Sequence, residues 1–363
     1  MVATEGISLE ELQLAARNHG MPLEALRYDV TPAGLHYLLI HYDIPVVDPE
    51  AWRLEIGGRV ERPMSLSLAD LRARERVEVV ATMECAGNGR AQLSPRPFSQ
   101  PWLLEAVGNA RWRGVALAPL LEEAGLLDDA VEVVFTGLDR GIEKGVKQNY
   151  ERSLTVEEAR AGDGLLAYEM NGAPLLPQHG FPLRLVVPGW YGMTNVKWLG
   201  AITAVAEPFE GYQQASAYWF REDEDAEGTQ VTRMQPRSLM VPPGIPDFHT
   251  RERHVPLEPR RLEGRAWSGW ATVSRVEVST DGGGTWADAE LEPAESRWGW
   301  RKWTFDWQPA QPGEHVLSSR ATDEAGNVQP SAPTWNVGGY ANNAVQEIRV
   351  TVESPGYDQS APE

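Results

Sequence analysis

The sequence predicts two units of different class: a mixed α and β domain, and behind it an all-β sandwich of about 100 residues. Three observations carry this reading. From about residue 52 to 207, apolar strand-like runs alternate irregularly with capped helical segments. After about residue 260 only strand and turn signals remain. Between them, over 221–260, lie the acidic run REDEDAEG and a Pro- and Arg-rich stretch without periodicity, which together read as an interdomain linker.

The elements follow in order. The opening MVATEGISLEELQLAARNHG carries Ser8-x-x-Glu11, the capping signature of an amphipathic helix that should end at Gly20. It has no basic flank followed by an apolar core and no twin arginine, so the expectation is a cytoplasmic protein. WRLEIGG, VEVVATM, VEVVFTG, LLAYEMNG, FPLRLVVPG and VKWLGAITAV read as strands. Helices begin at Ser67-x-x-Asp70 and Thr155-x-x-Glu158, and ALAPLLEEAG ends one on Gly125. Several strands follow one another with only turns between them, which argues against a doubly wound parallel sheet. In the second unit, AWSGWATVSRVEVST, TWADAEL, WGWRKWTFDW, HVLSSRATD and VQEIRVTV read as strands, with turns at Asp281 to Gly284 and Asp323 to Asn327. The alternate Trp residues of WGWRKW are expected to face a core rather than to stack a ligand.

Composition excludes several classes. The 33 basic and 52 acidic residues give a net charge of −19, which repels nucleic acid and acidic membranes at long range. No apolar run approaches the roughly 18 residues a membrane span requires. One cysteine in 363 residues rules out an internal disulfide, a zinc ribbon or a CxxC redox pair. There is no GxSxG elbow, HExxH, Walker loop or complete GxGxxG fingerprint. Asp223-x-Asp225-x-Glu227-Gly228 imitates the start of a calcium loop, but position twelve is Met234 where a bidentate Glu is needed, so it reads as solvated linker.

That leaves the single thiol. In VVATMECAGNGR, Cys85 follows the strand Val77 to Met83 and precedes the turn Gly87-Asn88-Gly89, which places it at the lip of a sheet. Most free cysteines are small buried hydrophobes. Here a glycine turn exposes backbone N–H groups, and Arg90 lies close enough to favour the thiolate. Those features suit either a nucleophile or a soft metal ligand, and the residues alone leave both readings open.

Read together, MECAGNGR, LLAYEMNG, HGFPLRLVVPGWYGMTNVKWLG and WNVGGYANNA resemble the sulfite oxidase family of mononuclear molybdenum enzymes, which includes plant-type nitrate reductases. The similarity runs in unbroken order from about residue 35 to 354. It implies that Cys85 is the one protein ligand of a molybdenum held otherwise by molybdopterin. By motif, the pterin contacts fall on Tyr37 to His41, Asp139, His179, Arg184, Asn195 and Lys197. Tyr218 in ASAYWF matches the active-site tyrosine, a phenol able to donate a hydrogen bond toward the metal's oxygen. Arg90 matches a pocket arginine and Trp102 an aromatic wall. Two further arginines expected from the resemblance are absent, because Leu39 and Gly338 occupy their positions. His36, His41, Lys144 and Lys147 are the candidates to replace them.

The resemblance further implies an N-terminal helical extension over 1–34, a molybdopterin-binding catalytic domain over 35–235, a linker over 236–254, an immunoglobulin-like dimerisation domain over 255–354 and a tail over 355–363. The implied activity is two-electron oxygen-atom transfer, with oxidation of sulfite to sulfate as the first expectation. A reductase of nitrate or an S-oxide, and a non-catalytic binding protein on the same scaffold, are the alternatives. The substrate is expected to be a small inorganic anion. The chain lacks the haem-binding His-Pro-Gly-Gly motif of animal members, so no haem is expected and electrons should pass to an external acceptor such as a cytochrome c. A homodimer through the C-terminal domain is expected, with neither nucleic acid nor membrane as partner.

Overall fold

The computed structural model describes residues 6–354, so the tail expected over 355–363 lies outside the described residues. No helix among the described residues is long and apolar enough to cross a membrane. The first helix, Leu9–Arg17, carries the predicted capping box between Ser8 and Glu11. It stops three residues before Gly20, because Asn18 turns extended and His19 bridges Leu38.

Two sheets build the domain that follows. The first has the spatial order Met64–Leu66, Leu54–Gly58, Leu199–Val205, Glu132–Glu143, Val146–Thr155. Only the pairing of Leu54–Gly58 with Leu199–Val205 is parallel. The second runs Val77–Glu84, Val107–Ala116, Leu165–Met170, Ala173–Pro174, with Arg184–Val186 also on Leu165–Met170. Helix Leu117–Ala124 buries Leu117, Leu120 and Leu121 against the first sheet's Ile56, Phe135 and Ile202, and its chain reverses at Gly125, whose φ of 69° is left-handed.

Two long strands escaped the sequence reading, besides the short Met64–Leu66 and Ala173–Pro174. Val107–Ala116 interleaves Gly108, Asn109, Arg111 and Arg113 with its apolar residues, so no apolar run marks it. Its arginines lie on the outer face and pair with Glu78 and Glu169 of neighbouring strands. Val146–Thr155 carries Lys147, Gln148 and Asn149 in its first half and is held as the return arm of a long hairpin.

The C-terminal unit is a two-sheet sandwich. One sheet orders Arg237–Met240, Arg260–Trp267, Arg301–Trp307, Glu290–Leu291; the other orders Ile245–Pro246, Arg253–Pro256, Gln346–Glu353, Gly313–Asp323, Val273–Ser279, Ala287–Asp288. Met240, Leu262, Trp303, Leu317 and Val350 close the core between them. This corrects the expected linker over 236–254: Arg237–Met240 is a fully buried strand of the sandwich, paired with Arg260–Trp267. Four residues beside prolines are too few to show a period, and tertiary pairing decides their state. Trp298, Trp300 and Trp303 are buried as expected, but in three different cores, the first two wedged against the preceding domain.

Candidate active site

The strand Val77–Glu84 ends beneath a bend that displays Cys85. The amide of Cys85 donates to the carbonyl of Ala106 (2.9 Å), its carbonyl accepts from Asn88 N–H (3.0 Å), and Gly89 closes the bend at a φ of 88°. The side chain of Asn88 ties the bend down, donating to Glu84 Oε1 (3.0 Å) and Leu104 O (3.1 Å) and accepting from Ala106 N–H (3.1 Å). Glu84 is in turn held by the C-terminal unit: Trp267 Nε1 donates to Oε2 (2.9 Å), and the Arg237 guanidinium lies 3.1 Å from Oε1.

Cys85 stands between two neighbouring cavities, which share Leu39, His41, Cys85 and Tyr218. The inner cleft encloses about 650 Å³ of space free of atoms, its mouth included, and is lined by Tyr37, Asp139, His179, Arg184, Asn195 and Lys197. The outer cavity, about 890 Å³ on the same measure, contains Arg90 and Trp102. Cys85, the expected pterin contacts, Tyr218, Arg90 and Trp102 therefore each border one or both.

The inner cleft sets two cations, Arg184 and Lys197, against one carboxylate, Asp139, with no close ion pair between them. Among the described residues no acidic oxygen lies within 4.0 Å of Arg184 or Lys197. Lys197 Nζ donates to Leu39 O (2.7 Å) and Gln178 O (3.3 Å). Arg184 donates to the carbonyls of His179 (3.1 Å) and Asn195 (3.3 Å), and its Nε is buried without a partner. Burial, reinforced by Arg184, pulls Lys197 down to about 7, and burial pulls Arg184 to about 10. Burial also pushes Asp139 up to about 6 despite Lys197, so neither member of that pair is fully compensated. His36, pulled to about 3 by burial and then by His179, leaves Nε2 without a partner beside Gly108, where a Cβ would strike the imidazole at 2.4 Å. A buried guanidinium and a half-buried amine without close carboxylates, an orphaned imidazole nitrogen and a thiol at the rim fit an anionic, polar, metal-bearing group.

Several expected roles change in the structure. Asn195 lines the cleft, but its side chain is committed to its own loop, accepting from Val187 N–H (2.7 Å) and donating to Tyr191 O (3.1 Å). His41, expected as a pterin contact, places Nε2 2.8 Å from Tyr218 Oη. Burial pulls His41 to about 3 and raises Tyr218 well above its ordinary value, so both are neutral near pH 7. In its Nδ1–H form the imidazole accepts the phenol proton; in its Nε2–H form it donates and frees the phenol O–H for the cavity. The expectation that Arg90 makes Cys85 acidic is also corrected. Burial pushes the thiol up, and Arg90, the Gly87 amide and the Trp102 indole offset this only in part. A metal held by Cys85 would require the thiolate form. Lys144 and Lys147 sit exposed on a hairpin and supply no pocket charge.

Sequence reasoning missed Tyr340. Its ring lies 5.2 Å beneath the Arg90 guanidinium and 5.1 Å from the Tyr218 ring. It also explains Gly338, since a Cβ there would meet Tyr340 Cε2 at 2.2 Å. Only the pairing of two glycines with an aromatic in WNVGGY hinted at this packing.

Comparison with known proteins identifies relatives of the whole chain. The family model described as oxidoreductase molybdopterin binding domain matches residues 41–213, and that of the Mo-co oxidoreductase dimerisation domain matches 244–353. Sulfite oxidase of Gallus gallus is 36% identical over 341 residues, covering 87% of this chain and 72% of that protein. Mitochondrial sulfite oxidase of Mus musculus is 35% identical over 347 residues, and the chain, 89% of it aligned, spans 62% of that protein's length. Among solved structures, the sulfane dehydrogenase SoxCD from Paracoccus pantotrophus superposes with a TM-score of 0.79 at 28% identity, covering 92% of this chain and 86% of that one.

Proposed function

The chain belongs to the sulfite oxidase family of molybdopterin enzymes, and from that premise we propose that it oxidises a sulfur oxyanion by two electrons, sulfite to sulfate being the simplest case. One observation carries the substrate class, an oxyanion: the buried Arg90 guanidinium, with no acidic oxygen within 4.0 Å among the described residues, borders the same cavity as the Cys85 thiol. A desolvated guanidinium without a carboxylate is a site for an oxyanion.

Molybdenum held by Cys85 supplies the redox change and the oxygen transfer when bound. The chain supplies the rest. Arg184 and Lys197 bind the cofactor's anionic end, with His36 and His179 as neutral partners beside them. Arg90 receives the oxyanion and orients its sulfur toward the Cys85 side of the cavity. Tyr218 keeps a proton on Oη near pH 7 and, backed by His41, orients an oxygen by hydrogen bonding. Trp102 and Tyr340 restrict water. The overall change is SO₃²⁻ + H₂O → SO₄²⁻ + 2 H⁺ + 2 e⁻, with the electrons passed singly to an external acceptor such as a cytochrome. The C-terminal sandwich is read as the surface of a homodimer, which sedimentation of the loaded protein tests.

Steady-state assay of the molybdenum-loaded protein decides the activity. Sulfite with ferricyanide should turn over, while nitrate or an S-oxide with a reduced dye should not. The reverse pattern assigns a reductase, and no turnover in either direction by fully loaded protein overturns the proposal.

A further inference from the structure

The outer cavity is a poor match for a compact, doubly charged ion. It carries one buried cation, Arg90, and one carboxylate, Glu143, which accepts from Gln213 Nε2 (2.8 Å) and Tyr42 Oη (3.5 Å). The rest of its wall sets an aromatic and aliphatic face of Trp102, Tyr340, Leu39 and Ile142 beside neutral polar groups such as His41, Ser99 and Gln100. An ion the size of sulfite leaves most of that space wet and carries its second charge into a cavity that already holds the Glu143 carboxylate.

Arg90 is built to present a single edge. Its Nε donates to Gly338 O (2.9 Å) and its Nη1 to Gln100 O (3.1 Å), the Tyr340 ring lies below it, and it rests on Gly87, where a Cβ would meet its Nη1 at 2.5 Å. Nη2 makes no hydrogen bond among the described residues, although the residue is only 4% exposed. One free edge suits one anionic group. Tyr340 occupies the space a side chain on residue 338 would need, so a second charge cannot enter from that position while the ring is in place.

We propose that the preferred substrate is an organic sulfinate, R–SO₂⁻: Arg90 binds the singly charged sulfinate oxygens and the apolar R group lies against Tyr340, Leu39 and Ile142. This rests on the oxidase reading above and names its substrate class. The balanced change is R–SO₂⁻ + H₂O → R–SO₃⁻ + 2 H⁺ + 2 e⁻. One S–O bond forms, the bond from sulfur to R stays intact, the oxygen comes from water, and a one-electron acceptor of the cytochrome or ferricyanide class takes each electron.

The test uses the molybdenum-loaded full chain with ferricyanide and compares benzenesulfinate with sulfite. The expected result is a kcat/KM about tenfold higher for benzenesulfinate, with two ferricyanide reduced per benzenesulfonate formed. Calorimetric titration with unreactive benzenesulfonate should show binding about tenfold tighter than sulfate, a readout independent of turnover. Tyr340→Ala should cut the sulfinate-to-sulfite ratio of kcat/KM at least about fivefold, and Tyr340→Phe should restore it. Sulfite equal to or better than benzenesulfinate, with sulfite still oxidised, overturns this inference and leaves the oxidase reading standing. Oxidation of neither compound overturns both.

Discussion

Replacing Lys197 with Met in the cofactor-free protein should remove a pH dependence of stability that the parent carries. The amine is held near 7 instead of 10.5, chiefly by burial. At about 1.4 kcal/mol per tenfold change in acidity, this disfavours its charged form by about 5 kcal/mol. The folded value is depressed, so between about pH 7 and 10.5 the unfolded chain binds the proton that the native chain has shed, and native stability rises with pH through that window. Solvent reaching the half-buried amine screens part of this, so the gain from pH 7 to 9 is at most about 2 kcal/mol, or about 3 °C in Tm. The variant lacks the gain, although it strands the carbonyls of Leu39 and Gln178 and loses a pH-independent part of its stability. Thermal unfolding of both proteins at pH 7, 8 and 9 measures the difference, and comparison of the two cancels the other titrating groups. Loading with cofactor should abolish the parent's slope, because an anion beside Lys197 restores its charge. Parallel pH dependences for parent and variant would refute the reasoning.

Cys85→Ser should fold normally and lose molybdenum to below about a tenth of the parent's content by elemental analysis; equal loading and turnover would contradict the ligand role. Arg237→Met leaves Glu84 charged and buried, so it should cost about 3–5 kcal/mol by thermal unfolding, with part recovered by adding Glu84→Gln. Full additivity of those two changes would deny the coupling. In acid, His36 and His41 (about 3) and His179 (about 4) are held neutral below their unfolded values. Native stability should therefore fall as pH drops from about 6.5 toward 4, by up to about 1.4 kcal/mol per pH unit for each histidine. Asp139, raised to about 6, acts in the opposite sense below that pH. His36→Gln should flatten the decline by about one proton's worth in Tm measured against pH.

The legible parts of this chain were those whose information is local. Apolar runs such as VEVVATM and the capping pairs at Ser8, Ser67 and Thr155 declare themselves within a few residues, and each appears as a strand or capped helix. Val107–Ala116 did not, because its charged residues find their partners on neighbouring strands, at Glu78 and Glu169. Arg237–Met240 did not, because its pairing partner lies more than twenty residues away. At the site, the bend around Cys85 was readable from its glycines, whereas the thiol's raised pKa was not, since burial depends on the surrounding sheet. Tyr340 was invisible for the same reason: its importance is a contact with Arg90, 250 residues earlier.

Those distant contacts bear on what the C-terminal unit does for this protein. Asn342 donates to Gly89 O (2.8 Å), Ala341 N–H to Ala86 O (2.8 Å), and Gly338 O accepts from Arg90, so three consecutive parts of the cysteine bend are held by one segment of the C-terminal unit. Behind the bend, Arg237 and Trp267 hold Glu84 from the same unit. A buried ion pair adds little net stability against an apolar substitute, but it penalises any arrangement that separates its members. Glu84 immediately precedes Cys85, so displacement of the sandwich would expose or strand that charge and release the strand end that aims the thiol. The geometry of the candidate metal ligand and of Arg90 is thus a property of the docked pair of units. Substitutions on the sandwich side of this contact should accordingly be read first as changes in site geometry, and only then as changes in assembly.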